Sequence, residues 1–204
     1  MPDSPQPDER IWGGTTLAER RKQRRAAFFT AALNTIGEHG TAAVTMRALC
    51  RETGIADRYF YENFESRDDL LVQLFEKVAN ETLSVLADKI VQSDPAAFAR
   101  SFVETVVDLT IHDRRRGRLL VIEPMGEPAL RGVTLTTVPA FTKLMRQALP
   151  RTSSSAERAV VSIGFIGALG SVLLAWLSGD FEADRDRLVA ECERLAVRIM
   201  TVEG

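Results

Sequence analysis

The stretch from Thr45 to Phe64, TMRALCRETGIADRYFYENF, decides the fold of this chain. It predicts two short helices that meet at Gly54, because the residue that ends a helix often takes a positive φ, which glycine adopts at no steric cost. Thr45 stands where the N-cap of the first helix is expected. This is the layout of a helix-turn-helix, whose second helix lies in the major groove of DNA. An ordinary αα-corner in a helical bundle has the same spacing.

The second helix favours the DNA-binding alternative. Its outward face carries polar and aromatic side chains, namely Asp57, Arg58, Tyr59 and Tyr61. Tyrosine hydroxyls beside arginine are typical of contacts to DNA phosphates. Ser66 can cap a further helix with Asp69 three residues later, and Arg67 then lies in its first turn, close to the path of a phosphate.

This stretch resembles the N-terminal domain of the TetR-type family of one-component repressors. The family pattern is a threonine that opens the second helix, a Gly-(Val/Ile) turn, a tyrosine, an aromatic-ended pair, and Ser-Lys with an acid before Leu-Leu. The matching residues occur in the same order: Thr45, Gly54-Ile55, Tyr61, Asn63-Phe64, Ser66-Arg67, Asp69, Leu70 and Leu71. The resemblance covers residues 17–75. It implies a dimeric, ligand-responsive regulator of transcription that binds a double-stranded, pseudo-palindromic DNA operator.

Two residues depart from that pattern. Ala56 stands where the family usually has a capping Ser or Thr, so we expect Asp57 to cap the recognition helix instead. Tyr59 replaces a residue that is usually small. We expect Arg58 and Tyr59 to read bases. The remaining expected DNA contacts are to phosphates, from Thr45, Arg47, Tyr61 and Arg67.

Composition and charge fit such an organisation. The chain has 204 residues, of which 45% are hydrophobic and 26% charged, as in ordinary globular proteins. Residues 18–67 hold nine Lys/Arg and six acids, a balance of +3, and the net charge of −2 leaves −5 for the remainder. This asymmetry suits a DNA-binding module joined to a neutral-to-acidic domain. Cys50 and Cys192 lack metal-ligand spacing, which indicates a reduced, cytoplasmic setting.

We predict three segments: a flexible arm over 1–15, a helix-turn-helix domain over 16–65, and a helical domain over 66–204. The opening MPDSPQPDERIWGG is rich in proline and has no apolar core of a signal peptide. Thr16 and Glu19 predict a capping box at the start of the first helix. The basic run Arg20–Arg25 is either a solvated face or a contact to phosphates or a minor groove.

The C-terminal part has helical apolar spacing and no alternating strand pattern. Asp94-Pro95 predicts a helix start, and a short helical piece after Arg114 is expected to stop at Pro124. Further breaks are expected at Gly126–Pro128 and Pro150–Ser155. The predicted fold is therefore all-α, with an N-terminal three-helix helix-turn-helix domain and a C-terminal helical domain for ligand binding and dimerisation.

Residues 159–179 form an uncharged run that is long enough to cross a membrane. Its glycines and serines, and the lack of a basic cluster on either flank, favour a buried helix and no membrane association. The resemblance implies that this helix and the last one form a four-helix bundle in the dimer. The predicted interface residues are Gly164, Gly167, Ala168, Ser171, Ala175, Leu188, Cys192, Leu195 and Ile199.

The resemblance also implies an effector cavity in the C-terminal domain. Its candidate lining residues are Phe75, Phe98, Phe102, Val106, Met125, Phe141, Met145 and Phe165. Aromatic and Met side chains at helical spacing are also what an ordinary core contains. As a group they favour a small, largely apolar or aromatic ligand.

Catalytic signals are weak. The two histidines, His39 and His112, lie near predicted helix ends, and no nucleophile elbow or zinc motif occurs. We therefore predict no catalytic residue, metal or cofactor, and a protein that is not an enzyme. A helical enzyme or a ligand carrier without a DNA-binding role is the alternative.

Overall fold

The computed structural model describes residues 16–90, 95–149 and 154–200, and within these ranges the chain is helical and has no strand. The all-α prediction is therefore confirmed. The predicted arm, 1–15, lies outside the described residues. The chain divides into two compact units, Met1–Leu71 and Val72–Gly204, and the division falls inside a helix.

Unit 1 is a three-helix domain followed by the first turn of a fourth helix. Its elements are α1 (Leu17–His39), a 3₁₀ turn (Thr41–Ala43), α2 (Met46–Thr53), α3 (Asp57–Tyr61) and the start of α4 (Arg67–Ile90). The predicted capping box opens α1, because the Glu19 amide donates to Thr16 Oγ1 at 3.1 Å and the Thr16 amide donates to Glu19 Oε2 at 2.7 Å. The hydrogen bonds that the Thr16 amide and the Thr16 hydroxyl donate to the Glu19 carboxylate lower the pKa of Glu19 from its ordinary value.

Four phenylalanines form the core of unit 1. Phe28 of α1 makes edge-to-face contacts with Phe60 at 5.5 Å and with Phe64 at 6.1 Å between ring centroids, and Phe29 lies 5.4 Å from Phe64. All four side chains are buried. Aromatic pairs of this geometry add about 0.5–1.5 kcal/mol to the free energy of burial. They fix α3 against α1.

Unit 2 contains the remainder of α4 and six further helices among the residues described. These are α5 (Pro95–His112), α6 (Arg114–Gly117), α7 (Glu123–Gly126), α8 (Pro128–Ala148), α9 (Ser155–Ser178) and α10 (Arg185–Met200). Residues Arg118–Ile122, between α6 and α7, are π-helical. A buried apolar cluster joins α5, α8, α9 and α10, with Phe98, Phe102, Phe165 and Trp176 as its largest members.

Two helix boundaries in unit 2 differ from or extend the predictions. Pro124 does not end the helical segment, because it lies in the first turn of α7, where its missing N–H costs no hydrogen bond. The helix therefore continues to Gly126. A capping box of Ser154 and Glu157 opens α9 inside the predicted break. Asp94, Pro150 and Ser153 lie outside the described residues, and α5 begins at Pro95.

Candidate DNA interface and ligand cavity

The helix-turn-helix has the local geometry that its sequence predicts. Thr45 is the N-cap of α2, and its Oγ1 accepts from the Ala48 amide at 3.1 Å. Gly54 ends α2 with φ at +66°, in the left-handed region. Thr53 Oγ1 donates to Leu49 O at 2.8 Å and accepts from the Ile55 amide at 3.3 Å, which holds the turn between the helices.

The recognition helix α3 starts without a conventional side-chain cap. Ala56 occupies the N-cap position, and Asp57 Oδ1 instead accepts from the Arg58 amide at 2.8 Å. The expected capping by Asp57 is therefore observed. At the other end, Asn63 Nδ2 donates to Tyr59 O at 2.7 Å. The helix has only five residues, so these two side chains matter for its ends.

Most of the predicted DNA-binding side chains are exposed on unit 1. They are Thr45, Arg47, Asp57, Arg58 and Tyr61, and Tyr61 is 59% exposed. Arg58 and Tyr61 therefore present a guanidinium and a phenol to solvent from α3. This is the side-chain chemistry that contacts base edges and phosphates in DNA complexes.

Tyr59 differs from this group because its ring is half-buried. The Arg24 guanidinium lies 4.1 Å from the ring centroid and that of Arg58 lies 4.6 Å from it. Arg58 Nη2 also donates to Tyr59 Oη at 2.8 Å. The ring and the hydroxyl thus hold the Arg58 side chain, which is a different role from the base contact that we predicted for Tyr59.

Arg67 also has a role that the sequence did not predict. Its Nε donates to Val44 O at 3.0 Å and its Nη2 to Thr41 O at 2.7 Å, while Nη1 pairs with Asp68 at 2.8 Å. The guanidinium therefore ties the start of α4 to the segment between α1 and α2. These carbonyls accept hydrogen bonds from the Arg67 N–H groups that we had expected to contact a phosphate.

Arginines of the basic run in α1 contact residues at and just after the end of α3. Arg21 donates to Glu62 O, and Arg24 Nη2 lies 3.4 Å from Glu62 Oε2. The Arg25 guanidinium lies over the rings of Phe29 and Phe64, 5.0 and 5.3 Å from their centroids. Three of the run's arginines thus make contacts inside unit 1, an arrangement that neither sequence alternative included.

A cavity of about 350 Å³ lies within unit 2. Five of the eight predicted lining residues do line it: Phe75, Phe102, Val106, Met125 and Phe141. The other three, Phe98, Met145 and Phe165, are instead buried in the apolar cluster, each at most 1% exposed. For these three the ordinary-core interpretation was the correct one.

The cavity wall also contains polar groups that the sequence did not predict. Four threonines and one arginine line it, namely Thr82, Thr110, Thr134, Thr137 and Arg116. Thr82, Thr110 and Thr134 each donate their hydroxyl to the carbonyl four residues earlier in their own helix. Only Thr134 and Thr137 lie on the same helix, at i and i+3 of α8, so the sequence has no polar stripe that marks the whole group.

Arg116 lies in an ion-pair cluster at the cavity wall. Its Nη2 contacts Glu81 Oε2 at 2.7 Å, and Lys77 of α4 pairs with the other oxygen of Glu81. Partial burial opposes ionisation of Glu81, but the hydrogen bonds from Lys77 and Arg116 outweigh it and lower the pKa of this carboxyl. Beside them, Asp113 pairs with Arg115 at 2.8 Å, which lowers the pKa of Asp113.

The predicted dimer-interface residues fall into three groups by their exposure: exposed, half-buried and buried. Gly164, Gly167 and Ser171 are exposed on one face of α9, beside Val160 and Ile163, which are 70% and 61% exposed. Half-buried positions are Ala168, Ala175, Leu195 and Ile199.

Leu188 and Cys192 are buried inside their own protomer, at 1% and 2% exposure, so their placement at an interface is wrong. The apolar stripe of α10 packs on α5, and periodicity alone does not say which neighbour covers a stripe. Burial, with a smaller contribution from the nearby Glu191 charge, raises the pKa of Cys192 to about 11.

Among the described helices, α9 alone is long and apolar enough to cross a membrane by length and composition. One side of it, Phe165, Leu169, Leu173 and Trp176, packs into the apolar cluster of unit 2. A helix that is covered on one side by its own domain is what the core of a helical protein contains. No group of three or more His, Cys, Asp or Glu that could hold a metal occurs in the described part of the chain.

Comparison with known protein families gives a match for the N-terminal part of the chain. Residues 28–74, which hold the second half of α1, all of α2 and α3 and the start of α4, match the family of bacterial regulatory proteins of the tetR type. The N-terminal part of the chain is therefore a tetR-type DNA-binding domain. This match agrees with the prediction of a DNA-binding protein rather than an enzyme. No curated protein matches the sequence of this chain.

Solved structures share the fold of this chain. FadR from Bacillus subtilis, in complex with stearoyl-CoA, is 14% identical to this chain and superposes with a TM-score of 0.75. The alignment covers 88% of this chain and 99% of the FadR chain. A TetR-like regulator from Rhodococcus sp. RHA1 is 19% identical with a TM-score of 0.70, at 90% and 97% coverage. The multidrug binding protein EbrR, complexed with imidazole, is 19% identical with a TM-score of 0.66, at 89% and 97% coverage.

Proposed function

We propose that this chain is a TetR-family regulator, a cytoplasmic, dimeric repressor that binds a pseudo-palindromic operator and is released by a small effector. The DNA-binding part rests on α3, which presents Arg58 and Tyr61 to solvent. Arg58 reads a base edge in the major groove, with Tyr59 holding its side chain. Tyr61, Thr45 and Arg47 contact phosphates.

Dimerisation supplies the second half-site. The exposed, small and apolar face of α9 (Val160, Ile163, Gly164, Gly167 and Ser171) is the part of unit 2 that a second copy would cover. Small residues allow two helices to approach closely, and a two-fold axis repeats the contact on both protomers. Two-fold symmetry then sets the recognition helices about 34–36 Å apart, one turn of DNA, or somewhat further.

The cavity of unit 2 is the effector site. Its wall is almost entirely apolar or threonine, and its volume of about 350 Å³ lies within the range of small-molecule sites. Solved proteins of this fold hold stearoyl-CoA in one case and imidazole in another. An effector releases DNA only through its differential affinity for two conformers, and shifting 1:99 to 99:1 takes about 5.5 kcal/mol.

The observation that carries the proposal is the exposed Arg58, held by Tyr59 on a capped recognition helix. An electrophoretic mobility shift with the DNA upstream of the chain's own coding region tests it. Wild type should give a shifted band, and Arg58→Ala should lose about 1–3 kcal/mol at one base position and relax the preference there. Tyr61→Phe should weaken binding to all sequences alike.

Arg198→Ala, an exposed arginine of α10, is the matched control and should bind like wild type. An Arg58→Ala variant with unchanged affinity and unchanged preference would remove α3 as the reading element. The effector site has a separate test in Phe141→Ala, which enlarges the cavity and should change the response to an effector without changing DNA binding. Unchanged responses to every effector would place that site elsewhere.

A further inference from the structure

The charge distribution around the cavity indicates which class of effector it takes. Among the described residues that line the cavity, Arg116 is the one with a formal charge. The threonine hydroxyls of Thr82, Thr110 and Thr134 already donate inside their own helices, so they offer a ligand acceptor atoms. Arg116 carries five N–H groups, and its hydrogen bond to Glu81 uses the Nη2 end. The guanidinium is therefore the donor group that faces a ligand.

The ion-pair cluster behind Arg116 has an excess of positive charge. Lys77 and Arg116 share the single carboxylate of Glu81, and the neighbouring Arg115 is already paired with Asp113. Three cations and two carboxylates leave a balance of +1. Glu81 also keeps Lys77 as a partner if Arg116 turns to a ligand. One added negative charge would neutralise the cluster without leaving any member unpaired.

We propose that the effector is an anionic amphiphile, a monocarboxylate whose carboxylate binds Arg116 and whose apolar body fills the cavity. This inference rests on the proposed effector site. A bidentate arginine–carboxylate contact has the best geometry available for such a pair, and an apolar wall strengthens it. With about 30 Å³ for a water-sized group, a cavity of about 350 Å³ holds on the order of twelve non-hydrogen atoms. A carboxylic acid of about ten carbons has that size.

Binding of this kind also has a structural route to regulation. Glu81 lies on α4, the helix in which the division between the two units falls, and Arg116 lies on α6. A carboxylate that draws Arg116 away from Glu81 weakens a 2.7 Å contact between these helices. The acid therefore differs from a neutral ligand of equal size in acting on α4 as well as in binding more tightly.

Titration calorimetry with decanoate, decan-1-ol, decylamine and decanoyl-CoA tests the inference on the full-length protein. Wild type should bind decanoate about ten-fold to a hundred-fold more tightly than decan-1-ol, as for hydrogen bonds to charged groups. Arg116→Gln should lose this preference while its affinity for decan-1-ol stays unchanged. Arg146→Gln, an exposed arginine of α8 that belongs neither to the cavity lining nor to the ion-pair cluster, is the matched control and should keep the preference.

A second variant keeps the test decisive if Arg116→Gln does not fold. Glu81→Gln removes the competing carboxylate, so it should bind decanoate more tightly than wild type and decan-1-ol equally. Equal binding of acid and alcohol by wild type would overturn the inference and leave the effector site standing. A preference for decylamine or decanoyl-CoA over decanoate would overturn it as well. If none of the four compounds bound or affected DNA release, the proposed effector site itself would fail.

Discussion

Gly117 of α6 lies close against Thr110 of α5. A Cβ at this position would lie 2.6 Å from Thr110 Cγ2 and 3.4 Å from Leu177 Cδ1. Thr110 cannot turn away cheaply, because it is β-branched and its Oγ1 donates to Val106 O at 2.8 Å. Both Gly117 and Thr110 line the cavity, so this close contact also sets the shape of the wall.

We expect Gly117→Ala to destabilise unit 2 by about 1–2 kcal/mol. The clash costs roughly 1–3 kcal/mol, and the better helix propensity of alanine offsets up to about 1 kcal/mol of it. Urea denaturation followed by circular dichroism gives the free energy of unfolding. The double variant with Thr110→Ser removes Cγ2 and should recover most of the loss. Gly132→Ala in α8, where no atom lies within 4 Å of the added Cβ, should not destabilise the protein. If Gly117→Ala behaved like Gly132→Ala, the contact would not be tight.

At the scale of single elements, α3 has an N-terminus that can be improved. Its N-cap residue, Ala56, has extended backbone angles of φ −65° and ψ 149° but no side-chain oxygen. Serine is a preferred residue there, because its hydroxyl accepts an amide N–H of the first turn.

Ala56→Ser should therefore stabilise unit 1 by about 0.5–1 kcal/mol. The gain lies at the low end because Asp57 already accepts from the Arg58 amide. Thermal unfolding at neutral pH measures it. The same replacement in the middle of α1, Ala26→Ser, should destabilise by roughly 0.5 kcal/mol, since serine is a poorer helix former than alanine. Equal effects of both changes would mean that Ala56 does not act as a cap position.

The helix starts were predictable because their signals are local. Thr16 with Glu19 and Thr45 cap the helices that follow them, as the sequence predicts. Ser66 Oγ likewise accepts from the Asp69 amide at 3.1 Å. The π-helical segment Arg118–Ile122, which contacts α9, has no such local signal in the sequence. The predicted stop at Pro124 was wrong because a proline can either end one helix or begin the next.

At the scale of the whole molecule, the cavity could be predicted only in part. Apolar periodicity identifies which face of a helix is turned inward, and this was enough for Phe75, Val106 and Phe141. It does not distinguish a side chain that touches empty space from one that touches another side chain. Phe98 and Phe165 both pack edge-to-face on Phe102, at 5.9 and 5.8 Å, so they belong to the core. Arg116 was missed because a run of arginines is normally a solvated face.

The ion pairs of unit 2 predict that its stability falls in acid. Hydrogen bonds from Arg185 and from Arg115 lower the pKa values of Asp108 and Asp113, and Glu81 is lowered by Lys77 and Arg116 against its partial burial. A depressed pKa in the folded state means that the stabilisation is present above the unfolded value and is lost as pH falls through the folded one.

Unfolding free energies should therefore decline from about the ordinary carboxyl pKa of 4.5 downward. Denaturant titrations between neutral pH and strong acid measure this. Asp108→Asn removes the pair with Arg185 that links α5 to α10, so its curve should be lower at neutral pH and flatter in acid. Asp88→Asn, whose exposed carboxyl lies on α4, is the control. A variant curve parallel to that of wild type would show that this pair does not contribute.

The proposed dimer predicts a surface substitution with no effect on the fold of one protomer. Ile163 is 61% exposed on α9 of one protomer. In the proposed dimer a glutamate at this position would be buried and would face the same glutamate of the second copy. Ile163→Glu should therefore dissociate the dimer at micromolar concentration and reduce operator affinity together with it. Val85→Glu, an equally drastic change at an exposed residue of α4, should leave the dimer intact. Analytical ultracentrifugation distinguishes the two results, and a dimeric Ile163→Glu would move the interface away from this face.

The burial of Cys192 in the protomer's own core gives the chain a built-in reporter of its fluctuations. At neutral pH a thiol with a pKa of about 11 is almost entirely protonated, and no reagent reaches a side chain that is 2% exposed. Cys50 is half-buried on α2 and remains accessible. A thiol-reactive dye should therefore label one cysteine quickly and the other only when α10 detaches from α5. The slow labelling rate measures how often that detachment occurs, and a compound that fills the cavity should slow it further.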